Sequence, residues 1–298
     1  MTPQQSYRLG LVLVSASALA WSTAGLFTRA LPLDSATMLV WRGVFGAVGL
    51  IVLGFGLEGR GLLRGFHQFA QLRHWPAWAF AATGVVGMIC YVTSLRTTSV
   101  AHVAVIYASV PFVAAALGWI FIGERPSRSA LAASLAALVG IAVMVGFGQE
   151  GALLGDVLAF GMTMTMATGM VMARRYQAIP FLPAACVSAL VSGAICWPFG
   201  HPLDVTTAQL GLLVLFGIVN SAVGFGLFTL GVRLIPAVET ALIGSLDAPL
   251  SPLWVWLAFG EVPGPSTLLG GLIVFVAVAV YLAIGASAKA PSAIQLEH

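Results

Sequence analysis

The sequence predicts an all-α polytopic membrane protein, ten transmembrane helices arranged as two inverted five-helix repeats. Three observations predict it. The 298 residues are 59% hydrophobic and only 8% charged, so a soluble globule could not cover its surface with polar groups. The apolar residues fall in runs long enough to cross a bilayer, which takes about 20 residues for roughly 30 Å of hydrocarbon. The second half of the chain also repeats features of the first at a fixed spacing.

Counting by length places spans 1 to 10 at 9–28, 36–57, 75–94, 99–122, 128–147, 153–173, 181–199, 208–231, 236–258 and 265–285. The first is long enough to be a retained helix and not a signal peptide. A shift of 137 superimposes Gly87 on Gly224, Arg96 on Arg233, Ile106 on Ile243, Trp119 on Trp256, Gly123-Glu124 on Gly260-Glu261 and Ser129 on Ser266 without a gap. Near the start a shift of 145 pairs Gly10 with Gly155 and Arg29 with Arg174, so the first half holds eight more residues, assigned to its longer basic connection, 58–74. Five spans per half is an odd number, which turns the second half over and makes the repeat inverted; such repeats place a substrate site near the midplane. The expected units are 1–148, 149–286 and a cytoplasmic tail, 287–298.

Orientation is read from the short connections. With the N-terminus inside, Arg8, Arg60, Arg64, Arg73, Arg125, Arg128, Arg174, Arg175, Arg233 and Lys289 fall on the cytoplasmic side, and only Arg29 and Arg96 on the other. Both termini are expected in the cytoplasm of a multi-pass protein of the inner membrane. The net charge of +3 comes without a basic patch interleaved with aromatics, so nucleic acid is not an expected partner. Cys90, Cys186 and Cys196 lie inside apolar runs and read as small buried hydrophobes. Paired mid-membrane aspartates and the H-E-x-x-H pattern are both missing, which argues against an intramembrane enzyme. No nucleotide-binding motif occurs, so transport would draw on a gradient, and no cofactor or metal is expected.

The pieces FIGERPSRSALAASLAALVGIAVMV and LAFGEVPGPSTLLGGLIVFVAVAVYL each carry Gly-Glu after a fourth span and a Gly/Ala-rich fifth. With Leu39-Val40-Trp41-Arg42 early in span 2, they resemble the drug/metabolite transporter superfamily in its EamA-type branch, over nearly the whole chain. Within it the sequence is similar to the YddG-type exporters of aromatic amino acids and related compounds. That resemblance implies a secondary transporter exporting small amphipathic metabolites by alternating access, a monomer whose partners are its substrate and the lipid bilayer. A lipid flippase or a non-catalytic membrane subunit is the alternative. Spans 1 and 6 lack the mid-membrane acid of the small multidrug-resistance relatives, and Lys289, the only lysine, leaves no lysine pair of the sugar-phosphate exchangers.

The candidate substrate residues are Trp21, Arg42, Tyr91, Tyr107, Met166, Asn220, Phe228 and Asp247. Counting inward, Arg42 is about 9 Å deep, Trp21 about 10 Å and Tyr107 about 12 Å, with Asn220 and Asp247 near the middle. Arg42 pairs with Val187 and Asp247 with Val110 in the repeat, so both charges break the symmetry. Arg42 either binds a carboxylate by its planar fork, snorkels to headgroups, fixes a helix contact or pairs with Asp247. Asp247 either binds an amine or a proton, or caps the helix after it; an acid at that depth faces the bundle interior or water. Tyr91 and Phe228, repeat partners, form a symmetric aromatic clamp or simply pack. Met162, Met166 and Met170 share one helix face, and Trp75, Trp78, Trp119, Trp197, Trp254 and Trp256 read as interface anchors. His102 reads as a solvated residue aligned with Glu239, Glu124 and Glu261 as matched residues at helix ends, and Asp156 as an acid favouring a helix dipole. Spans 5 and 10, with Ala132, Ala136, Gly140 and Gly270, are the expected scaffold. Pro111, Pro249 and Pro252 are the expected hinges of spans 4 and 9.

Overall fold

The computed structural model describes residues 2–71, 75–98, 100–145, 153–177 and 179–287. Arg73, the expected span ends at Ser99 and Phe147, the repeat boundary at 148/149 and the tail past 287 with Lys289 lie outside these residues. Among them, ten helices are long and apolar enough to span: Pro3–Ala30, Ser35–Glu58, Trp75–Ser94, His102–Ile122, Arg128–Val145, Leu153–Arg175, Phe181–Phe199, Thr207–Gly231, Ala237–Phe259 and Pro265–Ile284. They keep the numbers 1 to 10. The face that carries Pro3 and Ile284 is the terminal face, and the opposite one is the far face.

Span 1 starts six residues before the apolar run. Thr2 and Gln5 form a reciprocal capping box and Pro3 takes the first helical position, which satisfies amides that hydrophobicity alone does not predict. The basic connection between spans 2 and 3 holds a further helix, Gly61–Ala70, which buries Leu62, Gly65 and Phe69. Their i, i+3, i+7 spacing is the signal that a reading tuned to span length passes over.

The halves are interleaved. Span 5 packs on span 10 and span 2 on span 7, each with its own repeat partner; span 3 packs on span 6 as span 8 does on span 1. The first contact is close because it is built on glycine: a Cβ on Gly140 would stand 2.7 Å from the Gly270 carbonyl oxygen. Spans 4 and 9 are each two helices. Val100–Tyr107 gives way to Val110–Ile122, and Ala237–Gly244 to Asp247–Phe259, so the interruptions at 108–109 and 245–246 coincide under the shift of 137. Pro111 and Pro249 each sit in the first turn after the break, where a missing N–H costs nothing; Pro252 lies inside the second helix of span 9. The Gly-Glu motifs end spans 4 and 9 because Gly123 and Gly260, at φ +72° and +70°, supply left-handed caps, a conformation nearly free for glycine alone.

The glutamates after those caps cross between halves. Glu124 bonds Arg174 at 2.8 Å, and Glu261 bonds Arg29 at 2.5 Å. Arg29 and Arg174 are themselves repeat partners, so one ion pair occurs twice, once at each face. It ties span 4 to span 6 and span 9 to span 1.

Two measurements test these contacts. Gly140→Leu should lower the thermal midpoint of the purified protein, since overpacking against backbone costs about 1–3 kcal/mol. Asp34 caps span 2, accepting from the Thr37 amide at 2.8 Å and its hydroxyl at 2.7 Å. Partial burial opposes its charge, but the bonds from Thr37 and the His201 backbone outweigh it and hold the carboxyl below its ordinary range. A depressed carboxyl stabilises the fold above its ordinary pKa and loses that contribution as pH falls through the depressed value. Asp34→Ala should therefore cost about 0.5–2 kcal/mol at neutral pH, and the difference from the unaltered protein should vanish in strongly acidic solution.

Candidate functional site

One cavity of ≈ 760 Å³ occupies the middle of the bundle. Trp21, Arg42, Tyr91, Tyr107, Met166, Asn220, Phe228 and Asp247 all line it, together with Pro111 and Pro252. Pro249 lies behind the wall, beside Gly271 of span 10.

Its polar edge is assembled from three spans. Arg42 Nη1 of span 2 donates to Asn220 Oδ1 of span 8 at 3.3 Å, and Asn220 Nδ2 donates to the Trp21 carbonyl of span 1 at 3.2 Å. Arg42 therefore points into the bundle and not to headgroups. Asn220 reaches both partners from a π-helical stretch, Gly217–Phe225, a widened turn that recurs at functional sites. That stretch also turns Phe225 inward, against Trp21 at 6.4 Å. Sequence reading passed over Phe225, since helix type is not legible from hydrophobic period.

Asp247 opens the second helix of span 9, in its first turn, where the helix dipole favours an acid. Among the described residues no cation lies within 4 Å of it, and no carboxylate lies within 4 Å of Arg42. The two charges line one cavity without pairing, and Tyr91 stands within electrostatic range of both. Between them the wall is apolar and adaptable: Met162, Met166 and Met170 face it from span 6, with Met88 and Met144 from spans 3 and 5. Ser188 and Ser192 of span 7 also line it. Their four-residue spacing was the available signal, though serine in a small-residue helix is unremarkable by itself.

Tyr91 and Phe228 do not form a matched clamp. Phe228 is buried in the cavity floor with its ring 5.0 Å from Trp21, whereas Tyr91 stands on the wall. Trp254 is likewise no interface anchor, because its indole N–H donates to Ser22 Oγ at 2.8 Å inside the bundle. Trp75, Trp78, Trp119, Trp197 and Trp256 are exposed. His102 is engaged by Asp156 at 3.1 Å, which also accepts from the Thr98 hydroxyl at 2.8 Å.

The cavity is closed at the terminal face. There Val110–Ile122 of span 4 packs on Ala237–Gly244 of span 9, while the symmetric halves, Val100–Tyr107 and Asp247–Phe259, make no comparable packing at the far face. Burial of repeat partners reports the same asymmetry. Val110, Ala114, Phe228 and Ala241 are buried in the apolar floor, and their partners Asp247, Ser251, Tyr91 and Ala104 are half-exposed on the wall. A smaller cavity shares Ser251 and Pro252 and leads to Glu261 at the far face.

Paired cysteine substitutions in a background lacking Cys90, Cys186 and Cys196 check this. Ala104→Cys should react with a membrane-impermeant maleimide, and Ala241→Cys, its repeat partner, should react at least tenfold more slowly. Equal rates would mean that both faces are sealed or both open.

The EamA-like transporter family model matches residues 8–146 and again 153–283, once per five-span half. The "Uncharacterized transporter YwfM" of Bacillus subtilis (strain 168) is 27% identical over 267 residues, covering 84% of this chain and 86% of that one. A crystal structure 19% identical in sequence superimposes with a TM-score of 0.76, over 92% of this chain and 96% of its own, a likeness of fold. Matched by the family model through both halves and built as ten spans around a central cavity, the chain belongs to the EamA-like transporter family, non-catalytic secondary transporters of small molecules.

Proposed function

We propose that this transporter exports small amphipathic metabolites, aromatic amino acids foremost, across the inner membrane by alternating access, acting as a monomer. One observation carries the reading: a single cavity presents one guanidinium and one carboxyl that do not pair with each other, and its remaining wall is aromatic, methionine-rich and small. A zwitterion fits such a wall. Its carboxylate would take the planar donors of Arg42 beside Asn220, its ammonium group would sit at Asp247, and its side chain would lie among Trp21, Tyr91, Tyr107 and Met166. Polarizable methionines suit flat rings of differing shape.

Orientation follows from the basic residues. Arg8, Arg60, Arg64, Arg125, Arg128, Arg174, Arg175 and Arg233 sit at the terminal face, and Arg29 and Arg96 at the far face, so the terminal face is read as cytoplasmic. The cavity is then open to the outside, the state from which an exporter releases its cargo. Spans 4 and 9 would exchange which of their ends meet, turning at 108–109 and 245–246 near Pro111, Pro249 and Pro252.

Flux of radiolabelled tryptophan or phenylalanine in proteoliposomes tests the reading. Saturable movement is expected. Asp247→Asn and Arg42→Ala should each raise the half-saturating concentration by about 10–100-fold, since hydrogen bonds to charged groups contribute about 1.5–3 kcal/mol. Absence of saturable flux, or variants with unaltered saturation, would overturn it.

A further inference from the structure

Glu239 is a carboxyl that the cavity does not use. It lies in the first turn of Ala237–Gly244, the half of span 9 that seals the terminal face, and is 7% exposed. Tyr7 of span 1 donates its hydroxyl to Glu239 Oε2 at 2.8 Å, and the Tyr281 hydroxyl of span 10 stands beside the same carboxyl. Both tyrosines are buried. The charged groups that reach it are Glu124, beyond the end of span 4, and Arg174 of span 6, which are already bonded to each other. Ahead of span 5, Ser127 stands beside Tyr281. Among the described residues no cation lies within 4 Å of Glu239. A buried acid is a costly choice for a purely structural contact between three helices, because apolar side chains of similar volume would seal the face without one.

Its place in the repeat sharpens the point. Shifted back by 137, Glu239 falls on His102, in the first turn of span 4 at the far face, where Asp156 of span 6 engages it and in turn accepts from the Thr98 hydroxyl. Each gating span thus opens on an ionisable residue held by neighbouring spans, at opposite faces of the membrane. The half-exposed histidine stands at the open face, and the buried glutamate at the closed one.

We infer that Glu239 is a proton-binding site of the terminal face, sealed by Tyr7 and Tyr281 while that face is closed and put in contact with solution when it opens. The inference rests on the alternating-access reading, since only separation of spans 4 and 9 exposes the site. Opening changes both the hydration of the carboxyl and its phenol partners. An acid whose surroundings differ between two states binds protons unequally in them, so proton concentration must bias the two states in return. One proton exchanges between the carboxyl oxygen and water at that face, and no other bond is made or broken.

The test needs no substrate. Spin labels at Gln4→Cys on span 1 and Arg125→Cys beyond span 4, in a background lacking the native cysteines and reconstituted in vesicles, report closure of the terminal face by electron–electron double resonance. The ratio of the long to the short distance should change with pH by up to about tenfold per unit, the slope for one linked proton. Glu239→Gln, which keeps the shape and a hydrogen-bond acceptor, should flatten the dependence. Tyr7→Phe, which keeps the carboxyl and removes one donor, should retain the slope and displace its midpoint. A ratio indifferent to pH in the parent, or a slope that survives Glu239→Gln, overturns the proposal, whether Asp247 or the His102–Asp156 pair then carries it. Flux in the same vesicles reads transport separately: flux with pH-insensitive distances removes the proton site and leaves the transporter standing.

Discussion

In hydrocarbon a backbone amide or carbonyl without a partner costs several kcal/mol, and the rest of this architecture answers to that constraint. Helices satisfy it wherever they are regular. Four of the departures from regularity lie along the cavity: the break at Thr23, those at 108–109 and 245–246, and the π-helical stretch at 217–225. Carbonyls beside three of these breaks accept a nearby hydroxyl in addition to a backbone amide. Thr23 donates to Ala20 O at 2.6 Å, Ser109 to Ile106 O at 2.6 Å and Ser245 to Leu242 O at 2.6 Å. Backbone that cannot face lipid can face an internal cavity, so irregular backbone and candidate binding groups occupy the same place for one physical reason.

Inverted symmetry supplies the scaffold, and its breaking supplies both the state and the chemistry. Glycine contacts, C-caps and ion pairs occur twice. The environment of the ion pairs nonetheless differs: Arg174–Glu124 at the closed face has side chains 21% and 13% exposed, against 59% and 46% for Arg29–Glu261 at the open one. The exposed pair contributes about 0–1 kcal/mol at most, while the closed face adds to its less exposed pair the apolar floor around Phe80, Val110, Met170 and Phe228. Arg42, Asp247 and Glu239 stand outside this symmetry, each with an apolar or differently ionisable repeat partner.

Much of the fold was legible in the sequence because its determinants are local. Ten apolar runs of spanning length, Gly-Glu at 123–124 and 260–261, and prolines near the middle of spans 4 and 9 each express a rule about one helix. Of the eight candidate residues, Trp21, Arg42, Tyr107, Asn220 and Asp247 were read from depth and side-chain chemistry, Tyr91 and Phe228 from the repeat and Met166 from helical spacing. Less legible were features that depend on what a side chain meets. Trp254 reads as an anchor until Ser22 is placed beside it, and Phe225 is one phenylalanine among 17 until a π turn directs it at Trp21.

The sequence by itself determined the number of spans, the inverted halves, the matched Gly-Glu span ends and which residues carry charge at depth, since each depends on spacing along the chain. Tertiary structure alone decided that Arg42 leans on Asn220 and not on Asp247, that Glu124 and Glu261 find Arg174 and Arg29, that Glu239 is sealed by two tyrosines, and which end of the cavity is shut. The physical reason is that pairings between distant spans follow from how helices cross, and an inverted repeat presents much the same elements to both faces. Much the same sequence features stand at both ends, so only the packed structure distinguishes the shut end from the other.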